Sequence, residues 1–321
     1  MSDLLKLKHR IQKIIAEPPP YVSAKSWAIA DGNTGRIFFG KAEQERREIA
    51  SLTKIMTAYT ALHLSYEFNV NLKYEKTLVS KKAAKMGGTT AMLEEGDTLY
   101  LLDLFYGMLL PSGNDAATVI AEHFGRLIKE NSSPVQRIDA KDHKVILKNP
   151  STQKLFVNEM NKNAKVLGLN QTTFANPHGL NNYYNKSSAS NVAKLSSIAM
   201  EDANFRAIVS SKSYTCKGMD REGEDKQWTW INTNKLLDKG YNGVKTGVTQ
   251  YAGPCLVTST IDDSGRYLIF VLLNCKSMEQ RWKEIKSLRK WLNSRFEKIE
   301  RISLKEQMID KEKLLIKLQH L

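Results

Sequence analysis

Ser51 and Lys54, in the run Ala50-Ser-Leu-Thr-Lys-Ile-Met-Thr57, place a hydroxyl and an amine three residues apart. If this segment opens a helix, positions i and i+3 share a face and the amine can reach the hydroxyl. A serine is protonated at neutral pH and needs a neighbouring base before it can attack a carbonyl. A lysine can be that base when burial lowers its pKa. On its own the S-x-x-K pair says little, because most such pairs are solvated helix turns.

Two further motifs follow it, Pro111-Ser-Gly-Asn114 and Gly243-Val-Lys-Thr-Gly247. The ordered set S-x-x-K, S-x-N, K-T-G is the signature of penicillin-binding proteins and serine β-lactamases. The middle element reads Ser112-Gly113-Asn114, with Gly where class A β-lactamases carry Asp. Taken singly, the second motif is a turn and the third a strand end. Three in the right order are far less frequent by chance than any one. The surrounding segments, among them Val79-Ser-Lys-Lys-Ala, Gly96-Asp-Thr, Leu102 to Ala117, Phe174-Ala-Asn-Pro-His-Gly-Leu180 and Gly243 to Val257, resemble the D-alanyl-D-alanine carboxypeptidase family. This is the low-molecular-weight penicillin-binding group, serine peptidase family S11, and the similarity runs from residue 21 to residue 292.

The resemblance implies an α/β (α+β) fold of the penicillin-binding-protein and β-lactamase type. Such a fold has a mostly antiparallel five-stranded sheet, helices on both faces and a helical subdomain. It implies hydrolysis of the terminal D-alanine of peptidoglycan-type peptides through an acyl-enzyme, with β-lactams as inhibitors. Ser51 would be the nucleophile and Lys54 its base. Ser112 would relay a proton to the leaving amine, Lys245 would hold the local field, and Asn114 would bind the substrate amide and help position Lys54. The oxyanion would lie between the backbone N–H groups of Ser51 and Val248, the residue after Lys245-Thr246-Gly247. Lys245, Thr246 and Arg281 are the candidates for the substrate carboxylate; for Arg281 the alternative is a solvated helix charge. His178 could serve as a base, but with no acidic residue beside it in sequence a structural role is favoured. A β-lactamase-like hydrolase and a catalytically idle scaffold are the rivals. The E-x-x-L-N pattern that class A enzymes use for deacylation is absent between the second and third motifs.

The chain has 321 residues, 41% hydrophobic and 26% charged, enough for one large domain or two small ones. Its net charge of +14 favours anionic partners. The basic residues are scattered and no nucleic-acid motif appears, so no nucleic acid is expected. Cys216, Cys255 and Cys275 are too few and too dispersed for a disulfide framework, and Cys255 and Cys275 read as small buried hydrophobes. The six histidines show no ligand spacing, so neither metal nor cofactor is expected.

The elements that must position these residues are legible in outline. Residues 1–20 form a basic extension ended by Pro18-Pro-Pro20, residues 21–295 the catalytic domain, and 296–321 an amphipathic helical tail. Asp31-Gly-Asn-Thr-Gly35 signals a hairpin. A buried helix should start at Ser51 and offer its positive dipole end to the reacting centre. Residues 101–130 read as two helices broken at Pro111-Ser-Gly-Asn114, and 128–154 as a polar surface insertion without a catalytic role. Further helices are expected over 155–167 and 189–201, and strands over 228–232, 243–248, 253–260 and 266–273. The tail either meets an anionic membrane surface or is a solvated or coiled-coil helix. Many family members carry a second, β-rich domain before a membrane anchor, which this chain has no room for. Charges interrupt the apolar residues of the first twenty, so no signal peptide or transmembrane segment is read. As it stands the chain would be cytoplasmic, whereas the family works outside the cytoplasmic membrane.

Overall fold

The computed structural model describes residues 3–319 apart from 133–135, 139–144 and 148–149, with side chains described over 7–132 and 150–302. It divides into two compact units, Ala24–Arg281 and a terminal unit of Met1–Ser23 with Trp282–Leu321.

The larger unit is built on a five-stranded sheet in which every pairing is antiparallel. Its strands run Asn242–Gly247, Cys255–Ile261, Tyr267–Leu273, Ser26–Asp31 and Ile37–Lys41 across the sheet. The three middle strands are buried on both sides, Thr258, Ser259 and Thr260 included. Ala28, Ala30, Ile269 and Val271 join the main core, while Ile29, Phe270 and Leu272 on the opposite face are equally buried. The α+β architecture expected from the sequence is therefore present, and the hairpin at residues 31–37 closes as the Asp-Gly-Asn-Thr-Gly run requires.

The helix Thr53–Glu67 is a core element, with Ile55, Met56, Ala58 and Ala61 at 0% exposure. Leu101–Leu109 and Asn114–Glu130 are the two helices separated by the Pro111 break. Thr152–Val166 and Ala189–Ala199 follow, each opened by a serine whose hydroxyl accepts a backbone N–H of the first turn.

A second sheet was not foreseen in full. Asp225–Ile231, Ser213–Met219, Thr98–Tyr100 and Lys76–Leu78 form a four-stranded sheet, so the strand expected at 228–232 belongs to a different layer from 243–273. Trp228 and Trp230 turn inward from it, and their indole N–H groups donate to Met92 O (3.2 Å) and Ala91 O (2.9 Å). Within the 128–154 insertion, Gln136–Ile138 pairs with Val145–Leu147, and most of the rest lies outside the described residues.

The terminal unit holds the helix Asp3–Ala16 and, from Trp282 on, the helix Gln280–Gln319. The long helix grips the segment that follows the short one. Trp291 Nε1 donates to Pro18 O (2.8 Å), Arg295 to Glu17 O (2.7 Å), and Lys298 pairs with the Glu17 carboxylate at 3.0 Å. Among the described residues no helix is long and apolar enough to cross a membrane.

Candidate active site

The nucleophile candidate sits in a single 3₁₀ turn, Ala50–Leu52, that runs into the Thr53–Glu67 helix. Ala50 has φ +48°, a left-handed conformation that a residue with a Cβ rarely adopts and that costs of order 1–3 kcal/mol. Ser51 is half-exposed at this turn, while Lys54 one helical turn on is fully buried. The Lys54 amine lies 3.0 Å from Ser51 Oγ, 2.6 Å from Asn114 Oδ1 and 2.7 Å from the backbone carbonyl of His178. Burial first, and Lys245 second, push its pKa well below the ordinary lysine range; Asp115 acts in the opposite sense.

Asn114 opens its helix and is 2% exposed. Its Nδ2 donates to Gly87 O at 2.7 Å, which settles the amide orientation and leaves Oδ1 for Lys54. Ser112, just before it, is held at φ +70° by three bonds. Thr89 Oγ1 donates to Ser112 O (2.7 Å), Gly113 N to Gly107 O (3.1 Å) and Asn114 N to Thr89 O (2.8 Å). The buried Ser112 Oγ has no hydrogen-bond partner among the described residues.

The third motif lies on the edge strand Asn242–Gly247, paired with Cys255–Ile261. An added Cβ on Gly247 would stand 3.1 Å from Ser51 N, so the strand end runs against the nucleophile turn. Val248, the next residue, is substantially exposed. Lys245 is buried, and burial together with Arg281 brings its pKa down to about 7. Thr246 Oγ1 shares a 2.7 Å hydrogen bond with Thr233 Oγ1. Arg281 is buried behind this strand rather than solvated. Its guanidinium donates to Cys255 O (3.0 Å), Gly247 O (3.4 Å) and Met278 O (3.1 Å). It braces the backbone on which Lys245 and Thr246 are carried.

His178 enters the site through its carbonyl, not its ring. Burial, then Lys54 and Lys82, lower the ring pKa to about 3, and its Nδ1 accepts from Leu180 N at 3.2 Å. The loop is tied by Asn176 Oδ1, which accepts from Gly179 N (2.7 Å), and by Thr57 Oγ1, which donates to Pro177 O (2.5 Å). Gly179 has φ +86°, and a Cβ there would overlap Ala50 O. Sequence reasoning placed this loop among the family-like segments but missed the carbonyl, because a backbone acceptor leaves no mark in residue type. Among the described residues no group of three His, Cys, Asp or Glu is placed to hold a metal ion, and all three cysteines are buried.

Known proteins resemble this chain in sequence and fold. The chain matches the Peptidase S11 family, D-alanyl-D-alanine carboxypeptidase, over residues 12–150 and 148–277. It is 33% identical over 246 residues to a D-alanyl-D-alanine carboxypeptidase of Streptomyces sp. K15, covering 74% of this chain and 76% of that one. It is 31% identical over 287 residues to the D-alanyl-D-alanine carboxypeptidase DacD of Escherichia coli K12, covering 87% of this chain and 65% of the relative. Of the Bacillus subtilis relative DacF it spans 54%. The crystal structure of the Streptomyces K15 DD-transpeptidase superposes with a TM-score of 0.74 at 30% identity, covering 86% of this chain and 98% of that one. Penicillin-binding protein 6B from Escherichia coli gives 0.69 at 30% identity, covering 86% and 79%. With its core, its three motif segments and most of its length accounted for in this way, the chain belongs to the D-alanyl-D-alanine carboxypeptidase family, peptidase S11.

Proposed function

We propose that the protein is a serine-type D-alanyl-D-alanine carboxypeptidase that releases the terminal D-alanine of peptidoglycan-type peptides. The observation that carries the reading is the arrangement around Lys54. A neutral amine has two N–H donors and one lone pair. Two carbonyl oxygens, Asn114 Oδ1 and His178 O, take the donors, and the remaining direction meets Ser51 Oγ. A buried, discharged lysine so oriented is a base pointed at a hydroxyl.

Ser51 Oγ then adds to the carbonyl carbon of the penultimate residue while its proton passes to Lys54 Nζ. The resulting oxyanion is met by the N–H groups of Ser51 and Val248; loss of one such donor typically costs about 10²–10³ in kcat. On collapse the C–N bond breaks, and the amine of the leaving D-alanine takes the proton through Ser112. Water then adds to the ester, gives its proton to Lys54, and the acid departs as Ser51 is restored. Lys245 and Thr246 bind the substrate carboxylate, with Arg281 holding their strand. β-Lactams acylate the same hydroxyl. For the remaining partner reading, an anionic membrane surface met by residues 296–321, the support is the charged helical run Gln280–Gln319.

The test is incubation with diacetyl-Lys-D-Ala-D-Ala and, separately, with a fluorescent penicillin. Release of D-alanine and a stable covalent label are expected, both lost in Ser51→Ala with unchanged melting temperature. Label retained in that variant would take the nucleophile role from Ser51. Rapid release of hydrolysed penicillin without D-alanine would favour the β-lactamase reading.

A further inference from the structure

Asp115 belongs to none of the three motifs, yet its carboxylate is 1% exposed directly beside them. Its Oδ1 accepts from Ala91 N (2.9 Å) and Ala116 N (2.9 Å). Its Oδ2 accepts from Thr90 Oγ1 (2.5 Å), Ala91 N (2.9 Å) and Leu93 N (3.2 Å). Thr89 Oγ1 likewise donates to Ser112 O, and in the reverse direction Asn114 N donates to Thr89 O. Residues 89–93 and 112–115 are thereby laced together from both sides. The lacing continues outward, because Ala91 O and Met92 O receive the indole N–H groups of Trp230 and Trp228.

The carboxylate also fills a particular space. A Cβ on Gly113 would stand 2.6 Å from Asp115 Oδ1, 2.7 Å from Gly107 O and 2.8 Å from Ala91 Cβ, all nearer than real Cβ contacts come. Gly113 adopts an ordinary φ of −56°, so it is room, not backbone freedom, that calls for glycine here.

We propose that Asp115 is a positioning residue for acylation. It fastens the Thr89–Leu93 segment to the Ser112–Asn114 turn, so that Asn114 Oδ1 keeps the Lys54 amine in line with Ser51, and its carboxylate, together with Gly107 O and Ala91 Cβ, fills the space that a side chain on Gly113 would need. The inference rests on the reading of Ser51 and Lys54 given above. It has an electrostatic side as well. Three titratable groups face Lys54: Lys245 from the edge strand, His178 from its loop and Asp115 from its helix. His178 is neutral across the working range and Lys245 opposes a charge on Lys54, so Asp115 is what favours the cationic amine among these three. Only neutral Lys54 accepts the Ser51 proton, so the acylation rate rises with pH through its pKa. Without the Asp115 charge that rise moves to lower pH.

The experiment measures the second-order rate of labelling by fluorescent penicillin against pH in the full chain. Asp115→Asn keeps the volume but loses the charge-assisted bonds, and should slow labelling by about tenfold or more while shifting the acid limb downward. A second arm is the cycle of Gly113→Ala and Asp115→Ala. The added methyl should cost at least about tenfold beside the native carboxylate and clearly less once that carboxylate is gone, the signature of coupled neighbours. Thr90→Val removes the hydroxyl that donates to Asp115 and accepts from Met92 N, and should slow labelling several-fold with the acid limb in place, which keeps the proposal open to refutation if Asp115→Asn does not fold. An Asp115→Asn profile identical in limb to wild type, an additive cycle, or an unaffected Thr90→Val would each overturn it. Absence of labelling in the wild-type chain would instead overturn the underlying assignment of Ser51.

Discussion

Two lysines buried within one site are costly for a protein unless they discharge or find partners, and here the two take different courses. Burial first, and Lys245 second, favour the neutral form of Lys54 and hold its pKa well below the ordinary lysine range. Lys245, with its pKa near 7, is poised to change charge in the working range. It is cationic below that value and loses its charge as pH rises through it, so affinity for a carboxylate-bearing peptide should fall above about pH 7. The KM for diacetyl-Lys-D-Ala-D-Ala should rise across pH 6–9, about tenfold for each unit beyond the pKa. A C-terminally amidated analogue, which offers no carboxylate, should show no such alkaline limb. A pH-independent KM for the free acid would show that Lys245 does not meet the carboxylate. At this scale the clustering of Ser51, Lys54, Asn114 and Lys245 was legible because motif spacing and residue type mark them. Asp115 and the carbonyl of His178 were not. An aspartate after a helix start reads as an ordinary first-turn acid, and a carbonyl belongs to every residue.

Among the elements, those with enough length to carry a period were readable and the short ones were not. The helices Leu101–Leu109 and Asn114–Glu130 announce themselves by apolar spacing and by the Pro111 break, and the apolar run Tyr267–Leu273 by its continuity. Lys76–Leu78 and Thr98–Tyr100 are three residues each, too brief for alternation to show, and Ser213–Met219 mixes Lys and Gly into its pattern. Their sheet exists because Trp228 and Trp230 need burial and indole partners, a tertiary demand rather than a local one. The Asn114–Glu130 helix carries its own strain. His123 is buried, and neither ring nitrogen has a hydrogen-bond partner among the described residues. Burial and then Arg126 hold its pKa down at about 4. As pH falls below 6.5 the unfolded chain takes up the proton first, so stability is lost between about 6.5 and 4. Replacing the ring by His123→Phe should raise the melting temperature more at pH 5 than at pH 7.5. Equal gains at both values would mean that the ring is not protonated on unfolding.

For the molecule as a whole, every residue given a role in the chemistry lies in the unit Ala24–Arg281. The terminal unit is organised around a different set of bonds. Arg295 lies 3.9 Å over the Trp291 ring and reaches the Glu17 carbonyl, while Lys298 closes on the Glu17 carboxylate. Phe296, Ile299 and Ile302 are half-buried between exposed charges, so the helix has a packed side and a solvated side up to that point. These bonds all fall before residue 303, and no motif element lies beyond it. Deleting 303–321 should therefore leave the melting temperature close to that of the full chain and D-alanine release within about twofold, well under one tenfold step in the barrier. Loss of turnover in a folded truncation would mean that the distal helix supports the site. The same variant decides the membrane reading. If the tail binds anionic lipid through apolar residues set among lysines, its removal should abolish sedimentation with anionic liposomes at low salt. Sedimentation that survives the deletion would assign the attraction to the basic surface of the remaining chain.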